Sequence, residues 1–258
     1  MRSRKRNRIR EGNPVVTGIL YLLVILICAV TLYPMYYVLI LSVSAPEIAA
    51  RMDVYWFPKG FSLDAYRMLI GDKEMWRAYL NTILYTVPTT LLMLATSVMI
   101  AYPLTYKRLM GRKYLNLFLL IPMYFSGGMI PAFLLITKLG LYANPLSQII
   151  PACFSIWNII LMKAFFSSIP EGMREAAKID GAGILRILKD VYLPLSKPIL
   201  AVISVYTIVG TWNSWFSALV YLPRTDWQPL QLFLRRILVE STRQVTEILT
   251  PELAAEMM

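Results

Sequence analysis

Five long apolar runs, separated by polar or charged stretches, set the pattern of this chain. They cover about residues 16–44, 79–105, 114–137, 144–166 and 199–222. A helix rises 1.5 Å per residue, so each run is long enough to cross a hydrocarbon core of ~30 Å. The pattern predicts an all-α, polytopic helical membrane protein with five spans. Pro34 predicts a local kink in the first span, which membrane helices tolerate. Pro122, Gly127, Gly128 and Pro131 interrupt the third. Two readings of that interruption stay open: close helix packing around a kink, or irregular backbone lining a cavity.

Between the fourth and fifth runs lies Glu171–Pro198, which carries nine charges: Glu171, Arg174, Glu175, Lys178, Asp180, Arg186, Lys189, Asp190 and Lys197. At ~2.5–3.5 kcal/mol per charge at a bilayer centre, this stretch cannot cross a membrane. Its pattern predicts two short helices. Ser168 is a plausible N-cap, Pro170 suits a first turn, and Glu171 and Glu175 favour the N-terminal end. Glu171–Arg174 and Glu175–Lys178 are spaced to pair at i,i+3. Gly181 stops the first helix. Ile184, Ile187, Leu188 and Val191 give the second an apolar stripe, and Leu193-Pro194 ends it.

Composition agrees with a membrane protein. The 258 residues are 57% hydrophobic and only 16% charged, where soluble domains are nearer a quarter charged. The net charge of +11 does not imply nucleic acid, because the cations cluster between apolar runs rather than on one face of a soluble fold. They sort by side instead. Arg2, Arg4, Lys5, Arg6, Arg8 and Arg10 precede the first span. Lys107, Arg108, Arg112 and Lys113 lie between the second and third, with no acid among them. The loop over 45–78 mixes both signs, and Trp56, Phe57 and Phe61 suit an outer interface. The chain therefore reads as a basic cytoplasmic N-terminus (1–14), a transmembrane region (15–222) with a cytoplasmic loop at 167–197, and an external segment (223–258). The first apolar run is too long for the core of a cleaved signal.

Histidine is absent, which removes the commonest general base and metal ligand. There is no Gly-Lys pair, hence no Gly-x-x-x-x-Gly-Lys phosphate loop. If ATP drives the protein, another chain binds it. Cys28 and Cys153 lie in apolar runs and read as small buried hydrophobes. A membrane enzyme would need acids, histidines or cysteines grouped beside the spans. An ion-coupled transporter usually keeps ionisable residues within them. Neither is expected here.

Glu175-Ala176-Ala177, followed by Asp180-Gly181-Ala182 and Leu193-Pro194, resembles the "EAA" loop of bacterial ATP-binding-cassette importer permeases. The spacing of the glutamate, alanines, glycine and Leu-Pro end carries the resemblance; without it the stretch is an ordinary amphipathic connection. Further likeness to the carbohydrate-importer (maltose-type) branch comes from Asn81-Thr82, Ala101-Tyr102, Ile121-Pro122, Lys138-Leu139-Gly140-Leu141, Ile169-Pro170 and Thr211-Trp212-Asn213. Phe125-Ser126-Gly127-Gly128 through Pro131 is similar to permeases for complex oligo- or polysaccharides.

The resemblance implies a permease subunit that moves a carbohydrate, with a non-sugar solute as the alternative. It implies a second permease subunit, two ATPase subunits holding ATP and magnesium, an extracytoplasmic sugar-binding protein and surrounding membrane lipid. No cofactor or metal is expected on this chain. Glu175, Ala176, Ala177, Asp180, Gly181, Leu193 and Pro194 would form the ATPase-coupling site. Asn81, Trp212, Asn213 and Ser214 are candidates for the translocation path. Interhelical hydrogen bonds are the competing role for the polar ones, and the preferred role for Asn158. The family usually has six spans, so a sixth is expected beyond an incomplete C-terminus.

Overall fold

The computed structural model describes residues 14–50 and 54–240, and among these every regular element is helical. Most of the basic N-terminal stretch and the second half of the external segment fall outside the described residues. The chain divides into two compact units, residues 1–73 and 74–258.

The first unit holds α1 (Pro14–Ser42), α2 (Pro46–Ala50) and α3 (Asp64–Gly71). Helix α1 is apolar all round and runs unbroken through Pro34, the character of a helix facing lipid or other helices. Its second half is tied to the following loop. Tyr36 donates to the Trp56 carbonyl at 2.5 Å, and Tyr33 and Trp56 rings lie 5.4 Å apart.

The second unit is built on α4 (Lys73–Thr105). At 33 residues it is about 50 Å long at the α-helical rise, beginning six residues before the apolar run. One face of α4 is buried: Thr82, Tyr85, Thr86, Thr89, Met93, Ser97, Ala101 and Tyr102 recur every three or four residues. Small and hydroxylated residues on such a face let neighbouring backbones approach closely. Two clusters pack on it. At its C-terminal half, Met93, Ala101 and Tyr102 meet Met162, Phe166, Ile187, Tyr192 and Ile203. Nearer its start, Tyr85 meets Ala218, Leu222 and Leu232.

The remaining helices are short: α5 (Arg112–Tyr124), α6 (Met129–Lys138), α7 (Leu146–Ile149), α8 (Ile156–Ser168), α9 (Glu171–Ile179), α10 (Ile184–Ile187), α11 (Leu193–Leu195), α12 (Lys197–Trp212) and α13 (Phe216–Tyr221). Residues 230–240 are also helical. Among the described residues, only α1 and α4 are single helices long and apolar enough to cross a membrane; three bent pairs bring the number to as many as five.

Each bent pair has a local cause. The predicted third span is α5 and α6, meeting at 115° across residues 125–128. Gly128 has φ 84° and ψ 177°, a conformation essentially restricted to glycine. Pro131 follows within the first turn of α6, where a missing N–H is tolerated. The predicted fourth span bends by 40° between residues 146–153 and α8. The carbonyl of Cys153 at that break accepts from Thr96 Oγ1 at 2.7 Å, and Ser155 caps α8 through the Asn158 amide. Side chains thus satisfy backbone groups that the bend frees. The predicted fifth span stops at Trp212 and resumes as α13.

Several local expectations are corrected. Ser168 is not the cap of α9. It ends α8 and donates back to the Phe165 carbonyl, and Pro170 holds the cap position. Leu193-Pro194 does not end the second loop helix. Residues 188–192 form a π-helical turn and the helix continues through Leu195 before turning by 77° into α12. The wider turn leaves room for a proline that cannot make the i→i−4 bond. Lys163, within the fourth span, contradicts the expectation of spans without ionisable groups. It sits near the loop end of α8 with its ammonium on Asn116 Oδ1 at 2.5 Å.

Candidate functional site

The charged loop folds into a braced double helix. Its first brace is electrostatic. Lys107 Nζ lies 3.0 Å from Glu171 Oε2, while Arg174 pairs with Oε1 of the same carboxylate. This realises the Glu171–Arg174 spacing. Lys107, hydrogen-bonded to it and carrying the opposite charge, holds the Glu171 carboxyl below its ordinary value. Arg174 is only 9% exposed, and its guanidinium carbon sits 4.7 Å from the Tyr106 ring centroid. The expected Glu175–Lys178 pair does not form among the described residues. Lys178 turns to Tyr106 instead, 5.7 Å from its centroid.

The second brace is aromatic. Tyr102, at the end of α4, makes edge contacts with Tyr106, Phe166 and Tyr192 at 5.0–6.3 Å between centroids. Its hydroxyl is 2.7 Å from that of Tyr106 and donates to the Ile184 carbonyl at 3.2 Å. One hydroxyl has one proton, so the Tyr106 hydroxyl is the donor between them. The loop is thereby joined to the ends of both α4 and α8.

The turn between the loop helices is a Schellman motif. The Gly181 amide donates to the Lys178 carbonyl at 3.0 Å, and the Ala182 amide to the Ala177 carbonyl at 2.9 Å. Gly181 has φ 78°, the left-handed value that this motif requires and that a Cβ disfavours. A Cβ built there meets nothing within 4 Å. Ala177 and Ala182 pack inward against the aromatic cluster.

What remains exposed is a mixed face: Glu175, Ala176, Ile179, Asp180 and Gly181. Ile179 is 86% exposed and Leu185 is 78% exposed. Large aliphatic groups standing in a highly charged loop mark a surface suited to a protein partner. The seven proposed coupling residues therefore divide. Glu175, Ala176, Asp180 and Gly181 share this face. Ala177 and Leu193 pack toward the core, and Pro194 is exposed further along the chain.

At the opposite end of α4 a cavity of about 320 Å³ opens among Thr82, Tyr85, Ser147, Gln148, Ser214 and Ser217. Among the described residues no charged side chain lines it. Ser217 donates to Gln148 Oε1 at 2.7 Å and lies 3.0 Å from the Ser214 hydroxyl; Gln148 reaches Ser147 at 3.2 Å. Pro151, Ala152, Gly210 and Pro229 contribute to a largely apolar lining, so the site offers apolar surface with a few hydroxyl and amide contacts and no charge. Of the path candidates, only Ser214 lines it. Asn81 clamps a loop, donating to the carbonyls of Asp226 at 2.8 Å and Gln228 at 3.2 Å. Trp212 meets Tyr79 edge-on at 5.4 Å, and Asn213 is exposed and accepts from Gln231 at 3.4 Å. Asn158 is buried in α8. Ser147, Gln148 and Ser217 escaped the sequence reading. Their signal was present, since each is an uncharged polar residue inside an apolar run.

Residues 75–249, which contain both the loop and the cavity, match the binding-protein-dependent transport system inner membrane component family. The chain belongs to that family. Among its relatives is Protein LplC of Bacillus subtilis (strain 168), 34% identical over 218 residues, covering 84% of this chain and 74% of the relative. The polygalacturonan/rhamnogalacturonan transport system permease protein YtcP of the same organism is 34% identical over 230 residues, covering 89% of this chain and 80% of the relative. A chain in the crystal structure of a bacterial ABC transporter that imports the acidic polysaccharide alginate superposes with a TM-score of 0.85 at 34% identity. That match covers 89% of this chain and 82% of the other. As a member of this family the chain is an inner-membrane transport permease of an ATP-binding-cassette importer, not a catalyst. The importers of its family work with a substrate-binding protein and an ATPase.

Proposed function

We propose that this chain is one of two permease subunits of an ATP-driven carbohydrate importer, and that its Glu171–Pro198 loop is the seat of a partner ATPase. The observation that carries the reading is the division of the loop. One face is braced to α4 and α8 by Glu171, Arg174 and Tyr102; the other presents Glu175, Ala176, Ile179 and Gly181 to a partner. A device built this way transmits force instead of absorbing it. Closure of two ATPase subunits on nucleotide pulls α9, and the braces pass the movement to the ends of α4 and α8. Glu175 accepts charge-assisted hydrogen bonds from the ATPase, and the small Ala176 lets its surface approach. ATP and magnesium are held by that partner.

The permease named for polygalacturonan/rhamnogalacturonan and the importer of alginate support a carbohydrate cargo. So does an uncharged cavity whose largely apolar lining carries a few hydroxyl and amide groups. A non-sugar solute has no comparable support. The charge distribution supports a cytoplasmic N-terminus and loop. A binding protein then delivers cargo at the cavity end. Purification of the chain with its membrane neighbours tests the assembly: a copurifying ATPase and a second permease are expected. Recovery of the chain alone, from membranes in which it is active, overturns the proposal.

A further inference from the structure

We infer that Arg235 is the carboxylate-recognising element of a subsite for an acidic saccharide, held in place by Trp215 at the end of the bundle opposite the loop. The inference rests on the carbohydrate reading above and narrows it to a chemical class.

Four arginines crowd this end of the second unit, and three of them lie against a carboxylate. Arg77 and Arg224 lie 3.3 and 3.7 Å from the carboxylate of Asp226, and Arg236 lies 2.6 Å from Glu74. Arg235 differs. Among the described residues no carboxylate pairs with it; its guanidinium instead lies over the Trp215 ring, 4.2 Å from the centroid. The side chain is exposed on the helix over 230–240. A guanidinium held over an aromatic ring keeps N–H donors at its rim, the geometry suited to a bidentate carboxylate.

The surroundings suit the rest of a sugar. Trp215 directly follows Ser214, which lines the uncharged cavity. Gln231, one turn before Arg235, donates to Asn213 Oδ1 at 3.4 Å, and this leaves its own carbonyl oxygen as an acceptor for a hydroxyl. Trp215 also packs against the cluster containing Tyr85, so the ring carrying Arg235 is anchored. Charge outside the cavity and hydroxyl contacts within it match a sugar ring bearing one carboxylate. Arg235 and Gln231 contact the saccharide; Trp215 is a positioning residue that acts through Arg235.

The test uses the complete transporter, with its binding protein, in proteoliposomes. Uptake is measured for trimers of galacturonate and of mannuronate, and for maltotriose and galactotriose as neutral probes of equal length. The wild-type protein is expected to import an acidic trimer. Arg235→Gln should lower that uptake at least tenfold and leave a neutral probe's uptake, or its absence, unchanged. Arg235→Lys should restore part of the loss, and Trp215→Leu should raise KM for the acidic trimer more than it lowers kcat. Wild-type import of neutral trimers alone overturns the subsite and leaves the carbohydrate reading standing. Import of none of the four overturns both. Unchanged acidic uptake in Arg235→Gln overturns the subsite. So does an equal fall for acidic and neutral cargo that tracks the phosphatidylglycerol content of the vesicles, which would assign Arg235 to lipid.

Discussion

Arg174 lies over the ring of Tyr106 while its guanidinium pairs with Glu171, so one side chain holds the start of α9 to the segment that follows α4. Because Arg174 is nearly buried, its contacts are shielded from water and matter more than those of a surface pair. Tyr106→Leu removes the ring face and the hydroxyl on Tyr102. A cation–π contact of this kind is worth ~1–2 kcal/mol. Exchange of the α9 backbone amides should therefore accelerate roughly tenfold, with exchange in the centre of α4 unchanged.

The same brace has a defined acid limit. The Glu171 carboxyl is held below its ordinary value of 4.5 by Lys107 and Arg174. A depressed folded-state pKa gives stabilisation that is present above the unfolded value and lost as pH falls through the folded one. Amide protection of α9 should stay constant from pH 7 down to about 5 and decline only below the ordinary glutamate value. Glu171→Gln should lower protection at neutral pH and remove the decline. A decline centred near pH 6 in the wild-type protein would assign the switch to another group.

At Gly181 a left-handed φ of 78° meets open space. Any side chain there brings backbone strain of ~1–2 kcal/mol. Among the described residues nothing lies within 4 Å of the Cβ position, so the strain is common to a small side chain and to a large one directed outward. Gly181→Ala and Gly181→Trp should loosen the loop equally by amide exchange. In the assembled transporter they should diverge, with Trp abolishing uptake and Ala retaining a measurable part of it. Equal uptake by the two would mean that no surface packs against this turn.

Asn81 is fastened to the carbonyls of Asp226 and Gln228, beside the Tyr85 hydroxyl on Trp227. Asn81→Leu deletes two hydrogen bonds, each worth ~1 kcal/mol net. Limited proteolysis should cut within residues 223–229 several times faster. Saccharide selectivity should not move, because Asn81 does not line the cavity. A change in selectivity without faster cleavage would place Asn81 on the path.

Much of this architecture was legible in the sequence because lipid imposes strict demands. Apolar runs announced an all-helical chain, and Gly181 announced the helix stop that the Schellman motif realises. The broken helices were less legible. Apolar periodicity is blind to a backbone bend, and a run such as 114–137 reads the same whether it is one helix or two short ones meeting at 115°. The prolines and glycines there marked an interruption without fixing its angle. Gln148 and Ser217 were missed for a related reason: they sit on different helices, and only folding brings them within hydrogen-bond distance. The Tyr102–Tyr106–Tyr192 brace likewise joins positions ninety residues apart, and no local pattern links them.

The central claim is that the exposed face of α9 seats an ATPase. Its most direct test is disulfide crosslinking from Ala176→Cys, in a complete transporter whose native cysteines are replaced. The account predicts a crosslink between this chain and the ATPase, altered in yield when nucleotide is added, and lost together with uptake in Glu175→Lys or Gly181→Trp. The absence of any crosslink in an actively transporting complex, or full uptake by both substituted proteins, would contradict it.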